Sequence, residues 1–173
     1  MNTCQMSRRR FGIALAALAG TVVAGCGQAA ETAAEPGSMT ASVPGQATAM
    51  TVYRDPSCGC CEAWAEIARK AGFAVTVVDR PDMAAVKRQH GVPDALRSCH
   101  TAVVAGYAIE GHVPLAQVER LLATRPAGLR GIAVAGMPRG SPGMEMPDGS
   151  ADPFEVIAFD KAGRTTRFDS QGS

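Results

Sequence analysis

The sequence predicts an α/β domain built on a mixed sheet flanked by helices. Three observations carry this reading. From Thr51 the strand-like and helix-like stretches follow one another as β, α, β, α, β, β, α. Three cysteines stand within four positions, Cys58-Gly59-Cys60-Cys61, at the first strand-to-helix turn. About 120 residues from Met50 onward are enough for one domain that buries about two-thirds of its unfolded surface.

Each element has its own justification. Thr51-Val52-Tyr53-Arg54 is an extended run that leads into the cysteine turn. In the stretch from Glu62 to Ala71, Trp64, Ile67, Ala68 and Ala71 recur at i, i+3, i+4 and i+7, and Gly72 stops the helix. Phe73 to Val78 is a near-continuous apolar, β-branched run of the kind buried on both faces of a sheet, closed by Asp79-Arg80-Pro81. Asp82 caps a second helix that carries Met83 and Val86 and ends at Gly91. Thr101–Ala105 and Tyr107–Ile109 read as strands joined tightly at Gly106. Pro114 suits the first position of a third helix with Leu115, Val118, Leu121 and Leu122 inward, and Pro126 ends it.

This order is similar to that of thioredoxin-like domains, where a parallel pair is extended by an antiparallel hairpin and reactive cysteines sit at the first strand-to-helix turn. Cys58 and Cys61 have the C-x-x-C spacing of such a redox pair. Beyond that minimum lie a short apolar run, Gly131 to Ala135, and a Gly-, Pro- and Met-rich loop, Gly136 to Ser150. A terminal hairpin follows, Phe154–Asp160 with Arg164–Phe168 around Lys161-Ala162-Gly163. These strands are expected to extend the sheet or cover its open edge.

The N-terminus reads as an export signal, residues 1–25. Ser7-Arg8-Arg9-Arg10-Phe11 is a basic start, similar to a twin-arginine export motif, and the apolar stretch Gly12–Ala24 after it is too short to span a membrane. It ends in Val23-Ala24-Gly25-Cys26, which resembles a bacterial lipobox with Cys26 as the lipidated residue. Residues 26–49 lack a hydrophobic period and are rich in Ala, Gly, Thr, Ser and Pro, a flexible tether. The expected domain, residues 50–173, would then hang from the periplasmic side of a membrane through a lipid anchor alone. Of 17 basic residues the signal removes Arg8, Arg9 and Arg10, so 14 face 16 acidic ones, a formal charge of −2. Such a balance gives no footing for nucleic acid, and no internal repeat or second domain is visible.

Of six cysteines, Cys4 leaves with the signal and Cys26 takes lipid; Cys58, Cys60, Cys61 and Cys99 remain. Three pairings of four are open. A purely structural staple is a poor use of three sulfurs on one turn, because the loop they close is too short to restrict the unfolded chain much. A helix N-terminus beside them favours thiolate, which attacks disulfides and binds soft metals. A closed metal site needs ligands from a second segment. Cys99, in Ser98-Cys99-His100-Thr101 before the third strand, supplies it where thioredoxin-like domains usually place a cis-proline.

His100 and His112 flank the strand pair and are further candidates, against the plain reading of solvated or hydrogen-bonded imidazoles. His90, at the end of a helix, reads as a helix-terminus cation outside the site. Met137, Met144 and Met146 are candidate thioether ligands, with packing over the core as the competing role. Thiolate, imidazole and thioether together favour copper as Cu(I), with zinc as the alternative. Calcium or magnesium would want oxygen.

Four segments in order resemble the CopG-type copper-resistance family. They are Val52–Cys61, Cys99-His100-Thr101-Ala102-Val103-Val104, Glu110-Gly111-His112-Val113-Pro114, and Gly136-Met137-Pro138 with Gly140-Ser141-Pro142-Gly143-Met144-Glu145. The resemblance implies an exported thioredoxin-like domain that binds copper ions through Cys58, Cys60, Cys61 and Cys99 in copper handling or detoxification, beside other exported copper-handling proteins. It also leaves open an enzyme, a copper-linked thiol oxidoreductase with Cys58 and Cys61 as its redox pair. Two other classes compete: a thiol–disulfide oxidoreductase acting on exported proteins, and a zinc-stabilised interaction module.

Overall fold

The computed structural model describes residues 47–171, so the export signal, Cys4, the lipobox with Cys26 and most of the expected tether lie outside the described residues. The elements are β1 (Ala49–Arg54), α1 (Gly59–Lys70), β2 (Ala74–Asp79), α2 (Met83–Gln89), a 3₁₀ turn (Asp94–Leu96), β3 (His100–Val104), β4 (Tyr107–Glu110), α3 (Leu115–Thr124), β5 (Leu129–Ala133), β6 (Phe154–Asp160) and β7 (Thr165–Gln171). Seven strands form one mixed sheet in the order β2-β1-β3-β4-β5-β6-β7. β1 runs parallel to β2 and antiparallel to β3, which turns tightly into β4. This α/β arrangement is compatible with the thioredoxin-like order expected from sequence.

Most boundaries fall where the local chemistry puts them. Asp82 Oδ1 accepts the Ala85 N–H at 2.9 Å and caps α2. α1 begins at Gly59, three residues before the predicted start, which draws Cys60 and Cys61 into its first turn. Pro114 stands just outside α3 rather than at its first position, with φ −59° and ψ 136°. β1 starts at Ala49, so the tether gives way to sheet one residue early.

Two expectations are corrected. Phe73–Val78 is not a strand buried on both faces: β2 is an edge strand that pairs only with β1, and Ala74 and Thr76 are exposed. Ala71 lies on the exposed side at the end of α1 instead of in the core. The C-terminal strands extend the sheet on the β4 side, β5 parallel to β4 and β6 and β7 antiparallel beyond it.

The sheet separates two apolar layers. On one face Trp64, Ala65 and Ala68 of α1 and Leu115, Val118 and Leu121 of α3 pack with Met50, Val52, Ala102, Val104, Ile109 and Ile132. On the other, Val92 and Leu96 pack with Ala108, Ala133 and Phe159. Trp64 is fully buried and its indole N–H donates to the Val113 carbonyl at 2.9 Å, which fixes α1 against the chain entering α3.

Candidate metal and redox centre

The first cysteine turn is built by β1 running out into α1. Asp55 O accepts the Cys58 N–H at 3.0 Å, and Asp55 Oδ1 accepts the Ser57 N–H at 2.8 Å, an Asx-type turn. From the last residue of β1, Arg54 donates to the Cys58 carbonyl at 3.1 Å. Cys58 occupies the N-cap position and Cys61 lies three residues on, so both sulfurs fall on one side of the helix start. They form a disulfide. Cys60 and Cys99 are free thiols, both partly exposed.

Cys99 comes in from the loop that enters β3. Its Sγ stands 3.9 Å from Cys60 Sγ, and Cys60 Sγ is 3.5 Å from Cys58 Sγ. All four sulfurs lie within 4.8 Å of one another. Cys99 is also within that distance of His100 and His112, at 3.3 Å from His100 Nδ1 and 3.0 Å from His112 Nε2. Every cysteine and histidine proposed from sequence as a ligand is thus brought to one place, with Cys99 shared by a sulfur group and an imidazole group.

Protonation around Cys99 follows from its partners. His112 Nδ1 lies 2.8 Å from the Pro142 carbonyl, which only accepts, so Nδ1 carries the ring proton and Nε2 presents a lone pair to Cys99. Burial lowers the pKa of His112, and burial together with the charges of His112 and Lys87 holds His100 well below the usual range. Burial, with Cys60 adding to it, pushes Cys99 up to about 12. Cys99 is therefore a thiol in the metal-free chain. A soft cation must displace its proton, so uptake releases acid.

His100 Nε2 is buried without a hydrogen-bond partner among the described residues. Leaving a buried polar atom unpaired costs about 1–3 kcal/mol. With the Cys58–Cys61 bond reduced, the donor set fits a soft metal: four sulfurs, with His112 Nε2 and His100 Nδ1 beside the shared Cys99 thiol.

His90 departs from its expected role. Its ring stacks on Tyr53 with centroids 5.6 Å apart, and burial, then the nearby Arg130, lowers its pKa, so it is a neutral packing group and not a helix-terminus cation.

The methionine loop reaches the centre through its backbone. The Pro142 carbonyl holds His112, and Gly143 lies on the first turn of α1, where an added Cβ would be 2.9 Å from Trp64 N and 3.1 Å from Cys60 O. With φ +84°, that position suits glycine on both counts. Met144 is half-buried next to it, while Met137 and Met146 are 53% and 37% exposed, so those two do not fill the core.

Three contributors were not foreseen: the Pro142 carbonyl, Glu110, and Lys87. The last two form a buried ion pair at 2.5 Å behind β3 and β4. Burial raises the Glu110 pKa, opposed by Lys87. The only signal for it was a lysine beside Val86 on the inward side of α2.

Imidazoles whose folded pKa lies below the ordinary 6.5 leave the unfolded chain as the better proton acceptor. The stability they allow is complete above that value and lost as pH falls beneath it; Glu110, with a raised pKa, works in the opposite sense. Thermal melts of the reduced, metal-free chain are expected to show a falling Tm from about pH 7 to about pH 5, with a shallower slope in His100→Leu.

A family model described as "Protein of unknown function, DUF411" matches residues 96–144, the stretch from the Cys99 loop to Met144. No curated protein sequence matches. Two solved structures do. "Copper resistance protein copG- Form 1" is 41% identical, over 74% of this chain and all of that one, with a TM-score of 0.69. "Copper resistance protein copG- Form 2" has the same identity and score over 73% of this chain. At that identity and coverage, the chain belongs to the CopG family of copper resistance proteins.

Proposed function

We propose that this chain is an exported copper-handling protein that holds Cu(I) through Cys58, Cys60, Cys61 and Cys99, with His100 and His112 closing the site around Cys99. The observation that carries the reading is the convergence of four sulfurs from two segments within 4.8 Å, beside two imidazoles. Three sulfurs on one turn suit bridging between copper ions, and Met144, Met137 and Met146 are thioethers on the loop that leans on the site. The domain is carried by a lipid at Cys26 on the periplasmic side, on a tether that ends where β1 begins.

The Cys58–Cys61 pair gives copper a redox route. Two Cu(II) ions each take one electron from the two thiolates, which join as a disulfide and yield two Cu(I) ions; a dithiol donor then restores the pair. Copper is the substrate in that step.

The bonded C-x-x-C pair also supports a second reading, a thiol–disulfide oxidoreductase acting on exported proteins. Cys60 and Cys99 argue against it, since a free thiol 3.5 Å from Cys58, with a second one 3.9 Å from the first, would trap mixed disulfides. A zinc-stabilised module would need metal to fold, so a melting temperature unchanged by a zinc chelator would count against that reading.

Titration of the reduced, anaerobic full-length chain with Cu(I) against a competing chelator tests the proposal. Several tightly bound copper ions, with weaker binding in each of Cys58→Ser, Cys60→Ser, Cys61→Ser and Cys99→Ser, are expected. Binding indifferent to all four substitutions, with ready exchange of Cys58–Cys61 onto protein thiols, would transfer the chain to the oxidoreductases.

A further inference from the structure

Side chains alternate across a strand, so neighbours on β3 and β4 serve opposite faces of the sheet. His100 faces Trp64 of α1, with ring centroids 4.8 Å apart, and Ile109 joins the same apolar layer. Thr101 and Glu110, paired in register, face the other way. There Lys87 of α2 reaches under the sheet, its Nζ 2.5 Å from Glu110 Oε1 and 3.3 Å from Thr101 Oγ1, while Thr101 donates to Glu110 Oε2 at 2.6 Å. Glu110 and Thr101 are fully buried and Lys87 nearly so.

A desolvated ion pair is a poor source of stability. Replacing one by apolar residues of similar volume is often neutral or stabilising. What Glu110 does besides meeting Lys87 therefore matters. Its Oε1 also accepts the backbone N–H of Ser98 at 2.7 Å, immediately before Cys99.

The rest of the Ser98 environment has the same purpose. Gly136 N donates to Arg97 O at 3.2 Å, and the Ser98 hydroxyl donates to the Gly136 carbonyl. Gly111, at φ +71°, clears the space, because a Cβ there would be 2.5 Å from Ser98 Cβ and 2.6 Å from Val134 O. Its own N–H donates to the His100 carbonyl at 3.0 Å. Glu110, Gly111 and His112 are consecutive: the first holds the peptide before Cys99, the second lets that peptide approach, and the third meets the cysteine sulfur.

We propose that Glu110, oriented by Lys87 and Thr101, is a positioning residue that sets the Ser98–Cys99 segment so that the Cys99 sulfur stands between Cys60 and His112. The ion pair is then a mount for one ligand of the centre, placed on the back of the sheet where it touches no metal. For its affinity readout the inference rests on the copper reading; its second readout needs no metal.

The test compares Lys87→Met/Glu110→Leu, which removes both charges and the acceptor, with Lys87→Met/Glu110→Gln, whose amide oxygen still accepts from Ser98. In the reduced, metal-free full-length chain, iodoacetamide labelling of Cys99 relative to Cys60 is read by mass spectrometry, and Cu(I) affinity is read against a chelator. The Leu variant is expected to melt at or above the parent temperature, yet to shift the labelling ratio several-fold and bind Cu(I) about 10–100-fold more weakly, the scale for losing a partner behind a metal ligand. The Gln variant is expected to stay near the parent in both. Parental labelling and affinity in the Leu variant would overturn the proposal.

Should the Leu variant not fold, Ser98→Pro deletes the donated N–H and leaves the ion pair intact, with Ser98→Ala as its reference. Arg97 already has φ −62° and ψ 140°, the extended backbone a following proline requires. The same two losses are expected from Ser98→Pro relative to Ser98→Ala, and their absence would count against the mount. A parent chain that binds no Cu(I) would sink the copper reading, while the labelling ratio would still decide the role of Glu110.

Discussion

With its Cys58–Cys61 bond intact, the chain is expected to bind Cu(I) more than about 100-fold more weakly than after reduction, because even losing partners behind the ligands costs about 10–100-fold. The disulfide withdraws two of four sulfurs as anionic ligands and leaves Cys60, Cys99 and the two imidazoles. Copper bound per chain should fall as well, since fewer thiolates remain to bridge ions. Parallel titrations of oxidised and dithiol-reduced protein under nitrogen, with free thiols counted before and after, measure both effects. Equal affinity in the two states would place the metal away from the cysteine turn. Cys58→Ser/Cys61→Ser, which cannot form the bond, should behave like the oxidised chain in either buffer.

Trp64→Ala is expected to be the most destabilising single change in the domain, at about 3–5 kcal/mol for removing a large buried aromatic. Trp64 has no exposed surface and lies between α1 and the sheet. Its removal opens a cavity, leaves the Val113 carbonyl without the indole donor, and takes away the ring tilted against His100. In a domain of this size the loss lowers Tm by something on the order of 10–20 °C. Urea unfolding of the reduced apo chain reads the free energy directly. Trp64→Phe keeps most of the apolar contact but not the N–H, so it should lose only the smaller share, about 1–3 kcal/mol.

What could be read from the sequence was what is local. The period of Trp64, Ile67 and Ala68 gave α1, the Asp82 cap gave α2, and Gly106 marked the tight β3–β4 turn, because each depends on neighbours within a turn of chain. The cysteine and histidine cluster was legible for a related reason: soft ligands are scarce, so their recurrence at two strand ends was informative by itself. β2 was misjudged because an edge strand flanked by helices carries the same valine-rich run as a central one, and only the pairing distinguishes them. The place of β5 to β7 depended on a parallel β4–β5 pairing across α3, which no residue encodes alone. Lys87 and Glu110 lie 23 positions apart, and a charge on the inward side of a short helix looks like an exception until its counter-ion is seen.

The connection between β5 and β6 has a consequence for how such domains diversify. It runs from Val134 to Pro153, and its two ends are antiparallel neighbours in the sheet. Closing a longer loop between fixed ends costs only about 0.6 kcal/mol for each doubling of length. The segment also folds on itself, with Gly140 N–H to Met144 O at 2.8 Å, Met144 N–H to Ser141 O at 2.8 Å, and Arg139 clasping Asp152 across its stem. The loop is tied to the scaffold at Gly136, Pro142 and Gly143, and the positions between and beyond them are freer to vary. Its exposed positions, Met137 and Met146 among them, can therefore change residue type while the strands and the loop's anchoring backbone stay as they are.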